Sequence, residues 1–120
     1  EEMAYETFES TNELRNSLGL ESLEWEDKFE YIGKVRSAEI GVRWSHERPN
    51  GKKTAYTNSV EMEIGLGENI SMSSNTAKDV FDAWCNSEGH YANIINSDIS
   101  KYYAAYFKTE YGYGWVQLFR

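Results

Sequence analysis

The stretch YYAAYFKTEYGYGWVQLF, residues 102–119, decides the fold class of this chain. Its aromatic and aliphatic residues predict one strand over residues 102–109 and a second over residues 113–119. Glu110, Tyr111 and Gly112 lie between them and predict a hairpin turn. Helical patterns fill the chain before this hairpin. Helices that come first and strands that come last favour an α+β fold over a doubly wound parallel sheet.

Four helices are predicted upstream of the hairpin. Residues 5–17 carry Tyr5, Phe8 and Leu14 at rough helical spacing, and Gly19 is a stop signal. Residues 26–41 begin with acidic residues, which suit the positive end of a helix dipole. Residues 74–76 are capping types that precede a third, apolar helix, and a short fourth helix is predicted over residues 90–95. Residues 43–75 show no clear periodicity.

The composition limits the classes of protein to which the chain can belong. Its 120 residues match one domain over residues 1–120, and an aromatic content of 15% argues against disorder. A net charge of −8 argues against nucleic acid and anionic membrane surfaces, and no apolar run is long enough for a membrane span. The start lacks a signal peptide and is expected to be that of a mature or trimmed fragment. One cysteine, Cys85, predicts a bacterial or intracellular origin and a packed or idle thiol rather than a nucleophile.

The only two histidines, His46 and His90, are the first candidates for a functional site. Imidazole can act as a base or as a metal ligand near neutral pH. The two residues are too far apart in sequence to form a zinc motif by themselves, and no H-E-x-x-H pattern is present. Two interpretations stay open: the histidines share one site, or they are separate surface or hydrogen-bonded residues.

Acidic and basic residues supply the other candidates. Glu68 lies just after two glycines in Gly65-Leu66-Gly67, so its carboxylate is either aimed by a tight turn or exposed on a solvated loop. Arg36 and Glu39 are three residues apart and share a helix face, and with Arg48 they form a candidate ionic cluster. The favoured interpretation of that cluster is an ion pair that orients the following loop; a catalytic role would require Glu39 to be desolvated in a cleft.

The order of several short motifs carries more information than any one of them. Together they resemble the CAP superfamily (cysteine-rich secretory proteins, antigen 5 and pathogenesis-related 1 proteins), also called the SCP domain, and most closely its bacterial branch. The resemblance extends from about Phe8 to Phe119. The motifs are Leu20-x-x-Leu23-x-Trp25, Arg36-x-x-Glu39, Ser45-His46-x-Arg48-Pro49-Asn50-Gly51, Gly67-Glu68-Asn69-Ile70, Trp84-x-x-Ser87-x-Gly89-His90 and Trp115-Val116-Gln117-Leu118-Phe119.

The resemblance implies a three-layer α-β-α sandwich with a shallow central cleft. In eukaryotic members two histidines and two acidic residues line this cleft, and three of them match His46, Glu68 and His90. The fourth position falls on Ser87, whose hydroxyl supplies no charge. Two imidazoles are fewer than the three protein ligands usual for catalytic zinc. We therefore expect no required cofactor, and at most weak zinc binding by His46 and His90.

Two functions remain as hypotheses. The first is an extracellular or cell-wall-associated binding module without catalytic turnover, whose ligand is a peptide, a glycan or a lipid. The second is a peptidase-like hydrolase that acts with or without the help of a metal. It would use His46 or His90 as the base, Glu68 as its orienting partner, and Ser87 as a polar helper or nucleophile. The binding module is favoured, because polar residues in a cleft are insufficient evidence for catalysis.

Overall fold

The computed structural model describes residues 2–40, 67–72, 74–110 and 112–120. In chain order its elements are α1 (Glu2–Ser17), β1 (Glu24–Trp25), a 3₁₀ turn (Asp27–Phe29), α2 (Glu30–Glu39), β2 (Gly67–Met72), α3 (Ala77–Cys85), α4 (Glu88–Ile94), β3 (Lys101–Thr109) and β4 (Gly112–Phe119). Helices dominate the first part of this order and the longest strands come last. The α+β class predicted from the sequence is confirmed.

The strands form one sheet in the order β1-β3-β4-β2. The strand β1 is parallel to β3, whereas β3 with β4 and β2 with β4 are antiparallel. Alternate residues of β3 and β4 enter two separate apolar clusters, one beneath α2 and one beneath α1, α3 and α4. Because helices cover both faces of the sheet, the predicted three-layer α-β-α sandwich is confirmed.

The C-terminal hairpin forms as predicted, but two strands were not predicted. The strand β1 has only two residues, too few to show an alternating pattern. The strand β2 lies inside the stretch that has no clear periodicity, and it begins with Gly67, Glu68 and Asn69. Glu68 and Asn69 are nevertheless both buried. The strand β2 therefore belongs to the core although its polar sequence is typical of a loop.

The helix α1 ends where predicted but buries a different face. Gly19 adopts a φ of 78°, and the Leu20 amide donates to the Arg15 carbonyl at 2.9 Å, which closes a glycine-dependent helix end. Tyr5, placed on the apolar stripe by the sequence, is 48% exposed. The buried line is instead largely polar, and consists of Ala4, Thr7, Thr11 and Arg15.

The side chain of Arg15 joins α1 to the chain segments around it. Its Nε donates to the Glu21 carbonyl at 2.9 Å, and its Nη1 donates to the carbonyls of Ile94 and Asn96 at 3.0 and 2.7 Å. Burial lowers the pKa of Arg15, and the charge of Glu21 partly opposes this effect. A cation at the end of α4 suits the negative end of that helix.

The predicted helix over residues 26–41 begins as a 3₁₀ turn and continues as α2 from Glu30 to Glu39. The Glu26 side chain accepts a hydrogen bond from the Lys28 amide at 3.2 Å. The predicted inward face is correct, because Phe29, Ile32, Arg36 and Ile40 are all buried; Gly41 lies outside the described residues. The predicted cap of α3 is also present, where the Thr76 hydroxyl accepts from the Asp79 amide at 3.1 Å.

Large aromatic side chains join the layers of this chain, which has a single cysteine. Phe29, Trp84 and Trp115 are at most 2% exposed, whereas Trp25 and Phe81 are only partly buried. The indole nitrogens of Trp84 and Trp115 donate to the carbonyls of Ile70 and Ser74 at 3.1 and 2.9 Å. The buried indoles therefore fill the core without leaving their N–H groups unpaired.

The helix α2 lies unusually close to the sheet at Gly114. A Cβ atom built on Gly114 would lie 2.6 Å from the Ser37 carbonyl oxygen and 3.0 Å from the Ile40 side chain. A backbone carbonyl in a helix cannot move aside as the end of a flexible side chain can. This glycine therefore sets the distance between α2 and β4, and with it the position of every residue that α2 presents to the sheet.

We expect Gly114→Ala to lower the free energy of unfolding by about 1–3 kcal/mol, because α2 must shift to accommodate the methyl group. Urea unfolding followed by circular dichroism measures the change. The control is Gly89→Ala in α4, where an added Cβ meets no atom within 4 Å. The control should leave stability unchanged or raise it by up to about 1 kcal/mol. Equal effects of the two substitutions would contradict the proposed close approach.

Candidate functional site

Glu68 is a buried anion at the edge of the sheet. It lies in β2, and its carboxylate faces α2, where both oxygens accept hydrogen bonds from Arg36. The Arg36 Nε lies 2.8 Å from Glu68 Oε2, and Nη2 lies 3.0 Å from Oε1. The side chains of Arg36 and Glu68 are 0% and 2% exposed. Such a bidentate pair fixes the orientation of the carboxylate as well as its charge.

Glu39 extends this pair into a cluster of three charged residues. Its Oε1 lies 3.1 Å from Arg36 Nη1, and its side chain is 17% exposed. Burial alone would lower the pKa of Arg36, but the hydrogen bonds and negative charges of Glu68 and Glu39 outweigh burial and raise it. The predicted pairing of Arg36 with Glu39 is confirmed, and Glu68 joins it as an unpredicted third member. Arg48, also expected in this cluster, lies outside the described residues.

His90 lies in α4, on the opposite side of the sheet from α2. The helix spans Glu88–Ile94, so the predicted short helix exists and begins two residues earlier than expected. The His90 carbonyl accepts a hydrogen bond from Asn69 Nδ2 at 3.0 Å. The main chain of His90 is thereby attached to β2, at the residue next to Glu68.

The remaining predicted site residues differ in what the structure shows of them. Ser87 is the partly buried N-cap residue of α4, and its side chain makes no capping hydrogen bond. Glu88, the adjacent acidic residue, is exposed. His46 lies outside the described residues, so a site shared by His46, Glu68 and His90 stays a prediction. The structure brings Glu68 and the main chain of His90 to the same segment of β2.

Asn69 is the residue of this site that the sequence analysis missed. Its Nδ2 donates to the His90 carbonyl and to Gln117 Oε1, each at 3.0 Å, and its Oδ1 accepts from Asn93 Nδ2 at 2.8 Å. Asn93 Nδ2 also lies 3.4 Å from the Glu68 carbonyl. Two amide side chains therefore connect the main chain of Glu68 to that of His90.

Further buried polar side chains continue this arrangement into α1. Gln117 Nε2 donates to the Tyr102 hydroxyl at 2.8 Å and to the Thr11 hydroxyl at 3.4 Å. The Tyr102 hydroxyl lies 2.7 Å from that of Thr7. We name Thr7, Thr11, Asn69, Asn93, Tyr102 and Gln117 the amide–hydroxyl network. A sequence signal for it was present, because Gln117 interrupts an otherwise apolar strand.

Cys85 is a half-buried thiol near the end of α3. Burial raises its pKa, and the negative charge of Asp82 raises it further. A thiol needs a lowered pKa to act as a nucleophile at neutral pH. Its environment thus favours a packed thiol, as the sequence analysis expected.

We expect Arg36→Met to destabilise the protein by about 3–5 kcal/mol, because it leaves the buried carboxylate of Glu68 without its cation. Replacing both partners, as Arg36→Met with Glu68→Leu, should recover much of that loss. Urea unfolding at neutral pH measures both variants. The control is Lys34→Ala, which breaks an exposed pair with Glu30 and should cost less than about 1 kcal/mol. A loss as small for Arg36→Met as for the control would disprove the buried pair.

The ionisation of Tyr102 predicts a loss of stability in alkaline solution. Burial raises the pKa of Tyr102 from 10.0 to about 12, against the opposing effect of its hydrogen bonds to Thr7, Gln117 and Thr11. The unfolded chain releases this proton near pH 10 and the folded chain only near pH 12. This contribution is therefore complete below pH 10 and is lost as the pH rises to 12, by about 3 kcal/mol in all.

The comparison of wild type with Tyr102→Phe isolates this residue from the other tyrosines and the lysines. Unfolding free energies of both proteins should be measured at several pH values between about 9 and 12. The wild type should lose more stability over this range than the variant. Parallel curves would show that Tyr102 does not titrate as its buried position requires.

Comparisons with known proteins bear on the family and the fold of this chain. The model of the cysteine-rich secretory protein family, CAP, matches residues 8–119. The uncharacterized protein YkwD of Bacillus subtilis is 30% identical over 127 residues, which cover 97% of this chain and 47% of that protein. The chain thus spans about half the length of this curated relative.

Two solved structures share the fold at lower sequence identity. An extracellular protein of Bacillus anthracis that contains a SCP domain superposes with a TM-score of 0.83 and 22% identity, over 97% of this chain and 39% of that one. An outer surface protein of Borrelia burgdorferi superposes with a TM-score of 0.78 and 24% identity, over 93% of this chain and 86% of that one.

None of the helices in the described ranges has the length and apolar character that a bilayer crossing requires. With its family match over nearly the whole length, this chain belongs to the CAP family of cysteine-rich secretory proteins.

Proposed function

We propose that this chain is a secreted or cell-wall-associated binding module that has no catalytic turnover. Its ligand-binding cleft would be formed by His46, Glu68, Ser87 and His90. The location is supported by the two structural neighbours, one described as extracellular and the other as an outer surface protein. The binding role is supported by the chemistry of the site.

The bidentate contact between Arg36 and Glu68 is the observation that carries this proposal. Both carboxylate oxygens accept from one guanidinium at 2.8 and 3.0 Å in a buried environment. Both oxygens are thus engaged by one buried cation, which supports a positioning role for this carboxylate over proton transfer. A buried carboxylate held in one orientation supports a role in fixing the position of the groups that line the cleft.

The same geometry favours a polar ligand over a lipid. A fixed carboxylate, an imidazole and a hydroxyl recognise N–H and O–H groups, and they gain little from an acyl chain. Peptides and glycans carry such groups, and both occur in bacterial cell walls. We therefore take the polar cell-wall polymer as the ligand.

The alternative is a peptidase-like hydrolase that uses His46 or His90 with Glu68 and Ser87. A serine or cysteine nucleophile needs an adjacent base or a lowered pKa. Among the described residues, Cys85 has a raised pKa, and Ser87 stands at the N-cap of α4 without a contact that identifies a base. The hydrolase is the weaker candidate for these reasons.

Zinc is proposed as a weak occupant of the cleft and not as a cofactor. Within the ranges that the structure describes, no three His, Cys, Asp or Glu side chains are grouped so that they could hold a metal ion. Glu68 already faces a guanidinium, whose charge opposes a nearby cation. The guanidinium beside Glu68 supports weak rather than firm zinc binding, and the proposed ligand binding does not require zinc.

The test is co-sedimentation of the purified protein with bacterial cell-wall sacculi. We expect saturable binding that His90→Gln weakens at least about tenfold, a change of about 1.4 kcal/mol. The control is Glu88→Gln, which alters an exposed neighbour in the same helix and should bind like the wild type. Vesicles of phosphatidylglycerol and phosphatidylethanolamine, offered in parallel, should not compete. Binding to these vesicles instead of sacculi would contradict the choice of a polar ligand.

Turnover is measured on the same sacculi and on a peptide library. The proposal expects no release of soluble fragments above that of a heat-treated sample. Cleavage that is abolished by His90→Gln but retained by Glu88→Gln would establish the hydrolase instead. If both variants retain cleavage, the double variant His46→Ala/His90→Ala is tested. Cleavage that persists in the double variant comes from a contaminant or from another site on the protein.

A further inference from the structure

The hydrogen bonds of the amide–hydroxyl network all run in one direction. The Thr7 hydroxyl donates to the Ala4 carbonyl at 2.6 Å, so its oxygen is left to accept from the Tyr102 hydroxyl. Tyr102 has then used its own proton, and its oxygen accepts from Gln117 Nε2. These contacts alone therefore assign the hydroxyl protons of Thr7 and Tyr102.

The three amides beyond Tyr102 continue the same direction. Gln117 Oε1 accepts from Asn69 Nδ2, and Asn69 Oδ1 accepts from Asn93 Nδ2. Donors thus follow one another from Asn93 in α4, through β2, β4 and β3, to Thr7 in α1. The neighbours of each amide distinguish its oxygen from its nitrogen. A flip of Asn69 would place its oxygen opposite the acceptor oxygens of His90 and Gln117, and a flip of Gln117 would place its nitrogen opposite the donor Nδ2 of Asn69.

We propose that Asn69 is the positioning residue of the candidate cleft, and that the amide–hydroxyl network sets its orientation from α1. The Nδ2 of Asn69 donates to the His90 carbonyl at 3.0 Å. Asn93 Nδ2 contacts both the Asn69 side chain and the Glu68 carbonyl, and so links Asn69 to the main chain of Glu68. The distance between the main chains of Glu68 and His90 is therefore set by the side-chain amide of Asn69. Gln117 and Tyr102 fix the orientation of that amide. This inference rests on the proposed function for the role of His90 and Glu68, and not for the network itself.

A purely structural role does not explain why these positions are polar. The neighbours of Gln117 in β4, Val116 and Leu118, are buried and apolar, and they show what a packing requirement selects in this strand. Asn69, Tyr102 and Gln117 are all 0% exposed. Burying polar groups costs free energy that hydrogen bonds only offset, whereas apolar residues of similar volume pack without that cost. A hydrogen-bond network with one direction allows the Asn69 side chain only a single orientation.

The test removes one connection of the network and observes His90. Tyr102→Phe deletes the hydroxyl and Gln117→Met deletes the amide, and both keep the approximate volume. Nuclear magnetic resonance should show the side-chain amide protons of Asn69 exchanging with solvent at least about fivefold faster than in the wild type. The carbonyl-carbon resonance of His90 should shift in the same variants, because that carbonyl loses part of its hydrogen bond.

Two controls separate positioning from loss of stability. Leu118→Ala truncates a buried residue of the same strand that faces α2, and it should destabilise the protein without moving the His90 resonance. Thr7→Ser keeps the terminal hydroxyl and should match the wild type, whereas Thr7→Val removes it and should shift the His90 signal in the same sense as Tyr102→Phe. An unmoved His90 resonance in both Tyr102→Phe and Gln117→Met, or an equal shift in Leu118→Ala, would overturn the proposal.

Sacculus binding by the same variants then links the network to the cleft. We expect Gln117→Met to weaken binding by about fivefold and Leu118→Ala to leave it within about twofold of the wild type. A shifted His90 resonance with unchanged binding would overturn the positioning role. If the wild type does not bind sacculi at all, the proposed function fails, whereas the resonance measurements still decide whether the network orients His90.

Discussion

Two consecutive buried polar residues in β2 impose the constraint on which the site depends. Neighbouring residues in a strand point to opposite faces of the sheet. Glu68 therefore faces α2 and Asn69 faces α4, and each needs a partner on its own side. Arg36 supplies that partner on one face, and the amides and hydroxyls around Gln117 supply it on the other. An unpaired charge or amide in either place would cost far more free energy than one hydrogen bond contributes.

This constraint explains why some elements could be predicted from the sequence and others could not. The hairpin, the stop at Gly19 and the inward face of α2 follow from apolar spacing and turn residues, and the structure has them. The inward face of α1 could not be found by the same method, because Thr7, Thr11 and Arg15 are buried through hydrogen bonds instead of hydrophobicity. For the same reason β2 lacked an alternating pattern. Hydrophobic periodicity identifies apolar interiors only.

The candidate site shows the same division. Spacing alone gave no reason to join Glu68 and His90, and only the resemblance to the CAP superfamily placed both residues in one cleft. The structure joins them through Asn69 and Asn93, whose role depends on contacts 21 to 48 residues apart in sequence. Arg36 was predicted as the partner of Glu39, but its stronger bidentate contact is with Glu68, 32 residues away. Local spacing can reveal only the first of these two partners.

The order of the strands has a consequence for how this chain folds after synthesis. The last described strand in sequence, β4, lies between β3 and β2, and it is the only neighbour of β2 among the described strands. The nascent polypeptide cannot assemble this sheet until β4 has left the ribosome. The pairings of β1 with β3 and of β2 with β4 join residues far apart in sequence, and such non-local pairing slows folding.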